Sequence, residues 1–489
     1  MHGAYPILGC EETKTFEAQY FAGDESREWT AMQAAGRAVA HGIVEDFREI
    51  GTWPVQARVH VLAGKGHNAG DALIAATELR RLFPDTVVNV SFFFGERALR
   101  PLARRAWNEL AAAGANMEAT YATEEPDVVI DGVFGFQFCP PLDASTAMRL
   151  ARVNAAPARL RAAVDLPSGL GEANAYRADF TYATGILKTP LLDLPNAGRV
   201  RFLDLGFFGK CNHYGYAMQG LGGGVLDSLR ELRPARCDKR DFGHVLVVAG
   251  SRRYGGAALM ATLAALRGGA GLVTAAVPES LAAVFAAKAP EAMWLALPET
   301  SEGGLALEGR HLVREAFARA TAVVLGPGLG AERETLAFAS EVARESPHPL
   351  LIDADALRPE IVSAGHAPRV LTPHAGEWTR IAGFVPEGAV VIRKGPITRI
   401  ELMGSGGAPN GPVYHGFSGG PVLARGGSGD VLAGLVGAML ACTPIDLLGA
   451  AARGVAWHGA AADALARSRG ARAVLTTELL DFLGPALRP

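Results

Sequence analysis

Short apolar runs that end in glycine-rich turns, each followed by a helix-like stretch, recur in two series along the 489 residues. In the first series Arg58–Leu62, Val87–Phe94, Asp127–Ile130, Ala162–Val164 and Val200–Leu203 read as strands. Between them Ala72–Leu82 and Leu99–Ala113 are built from good helix formers. An amphipathic helix precedes them over Trp29–Phe47, with Met32, Ala35, Val39, Ile43 and Phe47 at helical spacing. In the second series His244–Val248, Leu272–Val277, Ala322–Leu325, Leu350–Ile352, Val370–Thr372 and Val390–Ile392 read as strands, with Ala257–Leu266 and Val431–Leu440 among the intervening helices. Apolar strands alternating with helices build α/β sheets of parallel strands, covered on both faces. The rhythm lapses from Gly209 to Lys239, where a Gly222-Gly223-Gly224 run is followed by a Pro/Arg/Cys/Asp segment. The spacing predicts two αβα domains, 1–222 and 223–489.

Glycine makes up 59 of 489 residues, about 12% against an ordinary share near 7%. Because 49% of the chain is hydrophobic, this glycine belongs to folded domains, at tight turns and close approaches to ligands. Lys plus Arg against Asp plus Glu gives 47 − 50 = −3, which supplies no general field for nucleic acid or an anionic membrane. Cys10, Cys139, Cys211, Cys237 and Cys442 form no CxxC pair and no metal-ligand spacing. That usage points to a reducing, cytoplasmic location. The polar start (Glu11, Glu12, Lys14) has no signal-peptide core. The most apolar stretch, Tyr254–Pro278, is broken by Arg267 and reads as core instead of a membrane span.

The chemistry lies in the turns. Strand Arg58–Leu62 runs into Ala-Gly-Lys-Gly-His-Asn-Ala-Gly-Asp, Ala63 to Asp71, and then a helix. Such a turn exposes N–H groups that favour phosphate, although any strand-to-helix turn accepts glycine. Asp131 follows Val128-Val129-Ile130, and Asp165 opens Asp-Leu-Pro-Ser-Gly. Ligands of open α/β sheets bind beyond the carboxyl ends of strands, so Asn68, Asp71, Asp131, Asp165 and Ser168 are expected in one crevice. A helix cap is the better explanation of Asp71. Capping explains Asp165 poorly.

These motifs, with Asp131-Gly-Val-Phe-Gly135, resemble the YjeF N-terminal, or NAD(P)H-hydrate epimerase, family over roughly Thr13–Phe208. The resemblance implies a Rossmann-like domain that interconverts the R and S hydrates of NADH and NADPH. It implies substrate contacts from His67, Asn68, Asp71, Gly135 and Asp165, with Asp165 as the acid/base group. It also implies K⁺ held by Asn68, Asp131 and Ser168, an oxygen set suited to a hard cation. Lys188 sits where the family has a lysine near its last strands. His67, Ala69 and Ala72 replace an Asn and two Gly of the family loop, and Phe136-Gln137-Phe138-Cys139-Pro140 replaces a small phosphate loop. Those rings are expected to crowd a nucleotide.

The second half carries a strand ending in Gly250-Ser251 with Tyr254-Gly-Gly-Ala257, then Gly326-Pro-Gly-Leu-Gly330, Asp353-Ala-Asp355, Thr372-Pro-His-Ala-Gly-Glu377, Lys394-Gly395 and Gly426-Gly-Ser-Gly-Asp430. The last motif runs straight into a helix. Its N–H groups form an anion hole for a transferring phosphoryl group, and Asp430 in the first turn can take a proton from a hydroxyl. A plain capping role for Asp430 leaves the glycine density unexplained. His374 with Glu377 lacks further ligands for a metal and reads as a substrate contact or a satisfied strand-end histidine. Asp353 is equally a site acid or a turn former. Lys394 reads as a phosphate ligand or a snorkelling surface lysine, the former favoured by Gly395.

In order and over Lys239–Leu487, these motifs resemble the YjeF C-terminal, ribokinase-like NAD(P)H-hydrate dehydratase family. The resemblance implies that ADP (or ATP), with Mg²⁺, phosphorylates the hydrate hydroxyl and that phosphate then leaves. It makes Asp430 the base. Lys394, Gly395, Pro396, Ile397 and Thr398, with Gly427, Ser428 and Gly429, would meet the adenine nucleotide. Ala257, Gly328, Gly330, His374 and Asp430 would line the hydrate pocket. Arg425 replaces a family Thr beside the anion hole, where it is expected to favour phosphate. Together the halves imply a bifunctional enzyme acting on NADHX and NADPHX, releasing NAD(P)H, AMP and phosphate, with a homo-oligomer expected. The alternative is a ribokinase-like small-molecule kinase with a degenerate, non-catalytic N-terminal domain.

Overall fold

The parallel strands of the N-terminal half lie in the order Asn116–Met117, Val87–Phe92, Arg58–Ala63, Val128–Gly132, Leu160–Val164, Phe180–Thr184 and Arg199–Leu203. This computed structural model describes residues 1–117, 125–209 and 215–488, so Cys211 and part of the Gly209–Gly224 stretch lie outside the described residues. Side chains alternate across the sheet. Val59, Val61 and Ala63 pack with helices Glu25–Phe47, His67–Leu82 and Pro101–Ala112 on one face. Leu62, Val129 and Ala163 pack on the other with Leu150 and Val153 of helix Ala144–Ala155. The chain leaves Arg58–Ala63 toward one edge and returns to Val128–Gly132 on its other side, which creates a topological switch point.

The C-terminal half repeats the plan. Its strands lie in the order Met293–Leu297, Leu272–Pro278, His244–Val248, Ala322–Leu325, Leu350–Ile352, Arg369–Leu371, Val390–Arg393, Thr398–Leu402, Val413–Gly416 and Met218–Leu221. Strand Thr398–Leu402 is antiparallel to both neighbours. Val245 and Val247 face helices Gly255–Arg267 and Ser428–Cys442, whereas Leu246 and Val248 face Arg310–Phe317 and Arg333–Glu345. The switch point lies between His244–Val248 and Ala322–Leu325.

Every strand expected from the apolar runs is present, with ends shifted by a residue or two. Phe180–Thr184, Thr398–Leu402 and Val413–Gly416 carry too much polar sequence to announce themselves. Thr398 is therefore the first residue of a strand, and the expected 394–398 loop is a hairpin turn over 394–397. Contact density divides the chain into Tyr5–Cys211 with Ala466–Gly470, and Met1–Ala4, Asn212–Leu465 and Ala471–Pro489. The changeover falls ahead of the 222/223 boundary because strand Met218–Leu221 pairs with Val413–Gly416. No described helix is long and apolar enough to cross a membrane.

Helices Glu25–Phe47 and His67–Leu82 meet at Gly36, where a Cβ would come within 2.6 Å of Ile74 and 2.8 Å of the Asp71 carbonyl. Gly36→Leu is expected to destabilise the N-terminal unit by about 1–3 kcal/mol through overpacking, read as a lower urea midpoint.

Candidate active sites

At the N-terminal switch point the glycines hold the loops close. A Cβ on Gly64 would lie 1.9 Å from the Val133 carbonyl, so only glycine lets the two loops touch. Asn68 Nδ2 donates to the Phe134 carbonyl at 2.7 Å, while the Phe134 N–H donates to Ser168 Oγ at 2.8 Å. Asp131, fully buried, accepts from Ser168 Oγ at 2.6 Å, from Ser168 N at 2.7 Å and from Val133 N at 3.2 Å. Asn68, Asp131 and Ser168 thus meet around the Phe134 peptide. Burial pushes the Asp131 carboxyl up to about 6 against the pull of those hydrogen bonds.

Asp165 adopts φ 65°, a left-handed conformation that strains any residue but glycine. Its carboxylate forms a buried ion pair with Lys188, whose Nζ also donates to the Ile186 carbonyl at 3.0 Å. Lys188 is only 1% exposed. Asp71 is not a cap: the helix begins at His67 behind Gly66, and Asp71 lies buried one turn in. Burial, then Asp165 and Glu17, holds its carboxyl well above the usual range.

A cavity of about 520 Å³ opens here, lined by His67, Asn68, Asp71, Gly135 and Asp165 among others. Phe136 and Phe138 are among its walls. Ala69 and Ala72 point away into the core, Ala72 packing against Gly132, so these replacements leave the lining untouched. Glu17 went unnoticed in the sequence and also lines the cavity. Burial pushes its carboxyl up to about 7, with Lys188 opposing and Asp165 and Glu28 adding. Its only sequence signal was a charged position on the face of a helix (Cys10–Phe21) that nothing assigned to a site.

In the C-terminal unit Gly328, at φ 64°, packs against Tyr254 and Ala257, bringing two expected pocket residues together. The Gly330 N–H is taken by Asp355 Oδ2 at 2.8 Å. His374 caps helix Ala375–Ile381, its Nδ1 accepting from Gly376 N at 3.1 Å and Glu377 N at 3.3 Å, and its ring stays exposed. Lys394 is no snorkelling lysine, because its Nζ donates to Asp353 Oδ1 at 2.9 Å and lies 3.9 Å from Glu377. Asp353 is buried, also accepts from Thr372 Oγ1 at 2.6 Å, and turns Oδ2 toward Gly429. Gly395, Pro396 and Ile397 form the adjoining hairpin turn, with Gly395 and Pro396 exposed.

Helix Ser428–Cys442 starts from Gly427 at φ 92°, where a Cβ would also strike Met260 at 2.5 Å. Ser428 Oγ donates back to the Leu423 and Arg425 carbonyls at 2.7 and 3.0 Å, so its hydroxyl braces the loop. The first-turn N–H groups of Gly429 and Asp430 have no intrahelical acceptor by geometry. Arg425 does not join the anion hole; its guanidinium donates to the Ala471 and Arg472 carbonyls at 2.8 and 2.6 Å. Burial, then Asp353, raises the Asp430 carboxyl to about 7 against Lys394. Asp430, Asp353, Lys394 and two free N–H groups therefore converge on one point.

A family model described as YjeF-related protein N-terminus matches residues 30–189, and one described as NAD(P)H-hydrate dehydratase matches 245–484. The bifunctional NAD(P)H-hydrate repair enzyme Nnr of Gloeobacter violaceus is 37% identical, over 98% of each chain. That of Moorella thermoacetica is 33% identical over 94% of this chain and 92% of its own. The chain belongs to the bifunctional NAD(P)H-hydrate repair enzyme family. Among solved structures it is similar to an ADP/ATP-dependent NAD(P)H-hydrate dehydratase from Bacillus subtilis, 27% identical over 53% of this chain and 95% of that one, with a TM-score of 0.44. The family match runs through both halves, which does not favour a kinase with an idle N-terminal appendage.

Within this family member the buried Asp165–Lys188 pair is open to a direct test. Lys188→Met strands a buried carboxylate, so the N-terminal unit is expected to lose about 3–5 kcal/mol, checked by chemical denaturation. The Lys188→Met, Asp165→Asn double variant should recover most of that loss.

Proposed function

We propose that this chain repairs hydrated NADH and NADPH, epimerising the R and S hydrates in the N-terminal cavity and dehydrating the S hydrate at the Asp430 loop with ADP. The observation that carries the reading is Asp430, a half-buried carboxyl raised to about 7 at the start of a helix whose Gly429 and Asp430 N–H groups are left without intrahelical acceptors. The substrate hydroxyl gives its proton to Asp430 while its oxygen attacks the terminal phosphoryl group, and AMP leaves with the bridging oxygen. Gly429 and Asp430 N–H groups receive the developing charge, and Lys394, held by Asp353, adds a positive charge beside them. The C–O bond then breaks with its electrons on phosphate, pushed by the ring nitrogen lone pair. Loss of a proton from the neighbouring ring carbon restores the double bond. Hydrate plus ADP thus gives NAD(P)H, AMP and phosphate.

In the N-terminal cavity Asp165 serves as the acid/base group at the carbon bearing the hydroxyl, with Asn68, Asp71, His67 and Gly135 around the substrate. Asn68, Asp131, Ser168 and the Phe134 carbonyl fit K⁺: they form an oxygen set around a buried carboxylate that, among the described residues, no cationic side chain faces. The ion would fix this loop and offset that charge. Mg²⁺ would ride on the nucleotide phosphates near Asp353 Oδ2 and screen their charge. We place the enzyme in the cytoplasm as a homo-oligomer. The described cysteines are all free, which agrees with a reducing compartment.

Purified protein given S hydrate, ADP and Mg²⁺ should regenerate the NADH absorbance band, and no regeneration by folded protein would overturn the dehydratase. Asp430→Asn is expected to lower kcat by about 10²–10⁴-fold while ADP still binds by calorimetry. Because Asp430 acts ionised, kcat should rise with pH up to about 7 and level off above it. Asp165→Asn should abolish enzymatic loss of the R hydrate, followed chromatographically.

A further inference from the structure

The loop that delivers Asp430 is held from behind by residues that no step of the proposed reaction uses. His458, on helix Leu447–Arg469, is buried against the Ser428 backbone. Its Nε2 has no hydrogen-bond partner among the described residues. One residue on, Gly459 lets the same helix press on the loop's other end: a Cβ there would sit 2.7 Å from the Ser418 carbonyl. Asp463, a turn further, accepts the Gly419 N–H at 3.0 Å. The chain after the helix completes the grip. Arg425 hangs on the carbonyls of Ala471 and Arg472, and Thr476 Oγ1 donates to the Gly426 carbonyl at 2.9 Å.

This pattern has a physical reason. A glycine-rich loop is intrinsically mobile, yet an anion hole works only when its donors are fixed before charge develops. Glycines cannot fix themselves through side chains, so the rigidity must come from neighbours. Burial drives the His458 imidazole down to about 4, with the Ser428 backbone opposing and Lys394 adding. It therefore stays neutral, and a neutral ring with one donor matches one backbone acceptor. We propose that His458 and Arg425 are positioning residues that set the geometry of the 426–430 anion hole, tying it to helix Leu447–Arg469 and to the segment after it.

The inference rests on the Asp430 loop being the phosphoryl-transfer site, and two readouts separate its failure from that of the reading. In the first, the S hydrate and ADP are turned over by wild type, His458→Phe, His458→Asn and Arg425→Ala. His458→Phe and Arg425→Ala are expected to lose about 10-fold or more in kcat with KM for the hydrate changed less than about twofold. His458→Asn, which keeps a hydrogen-bond donor at this position, should recover most of it. In the second, hydrogen exchange of the peptide spanning 423–431 should be faster in His458→Phe and Arg425→Ala than in wild type, with exchange of the N-terminal unit unchanged. Arg425 lies partly exposed, so its variant folds even where His458→Phe does not. An active wild type with variants equal to it in kcat and in loop exchange overturns the inference alone. An inactive wild type overturns the proposed reaction, and loop exchange then decides the positioning role by itself. Equal losses in His458→Asn and His458→Phe, without faster loop exchange, also overturn it.

Discussion

A parallel sheet exposes the carboxyl ends of its strands in one row, and where the chain reverses direction across the sheet the loops on either side part. Both units obey that constraint; in the C-terminal unit Asp353 and Lys394 stand further along the same row, after Ile352 and Arg393. In the N-terminal unit the gap lies between the turns after Ala63 and Gly132; in the C-terminal unit it lies between those after Val248 and Leu325. The glycines at these turns are there because the loops come closer than a Cβ permits, as at Gly64 and Gly328. Everything else in the two sites is arranged around that closeness.

The same closeness explains what could be read from the chain. Gly64, Asp131, Asp165 and Gly328 lie at or just after strand ends, and the Gly426–Asp430 run opens a helix, so a local pattern of apolar run, glycine and acid places them without knowledge of the fold. Strand Thr398–Leu402 escaped because Arg399 and Glu401 break its apolar pattern while pairing with neighbours on both sides holds it in the sheet. Glu17, His458 and Asp463 were invisible for another reason. Each lies on a helix whose sequence neighbourhood says only that it is helical, and each reaches its site by packing with a segment far along the chain. Arg425 shows the opposite error: its proximity in sequence to the anion hole was real, but its guanidinium found better acceptors in the carbonyls of Ala471 and Arg472.

Replacement of loop residues turned out to depend on which way they point. Ala69 and Ala72 stand where smaller residues are expected, yet both face the core, and Ala72 fits because the strand residue beneath its helix is Gly132. Phe136 and Phe138 are larger than a phosphate loop normally allows, and they are among the walls of a cavity of about 520 Å³. Aromatic walls are ordinary in small-molecule sites, where a few placed polar groups set orientation.

Each unit sets a lysine against a carboxylate, and the difference between the two pairs matches the difference in chemistry. Lys188 is 1% exposed and fully committed, to Asp165 and to the Ile186 carbonyl. The pair is neutral as a whole, which suits an epimerisation that moves a proton and a hydroxyl but leaves the substrate's charge unchanged. Lys394 is 25% exposed and has Asp353 on one side with the start of helix Ser428–Cys442 on the other. Asp353 orients it without burying it, so its charge remains available to an anion, while Asp430 beside it stays poised near neutrality. A site whose substrate keeps its charge can seal its ion pair away; a site that moves a phosphoryl group has to leave one side of the pair open.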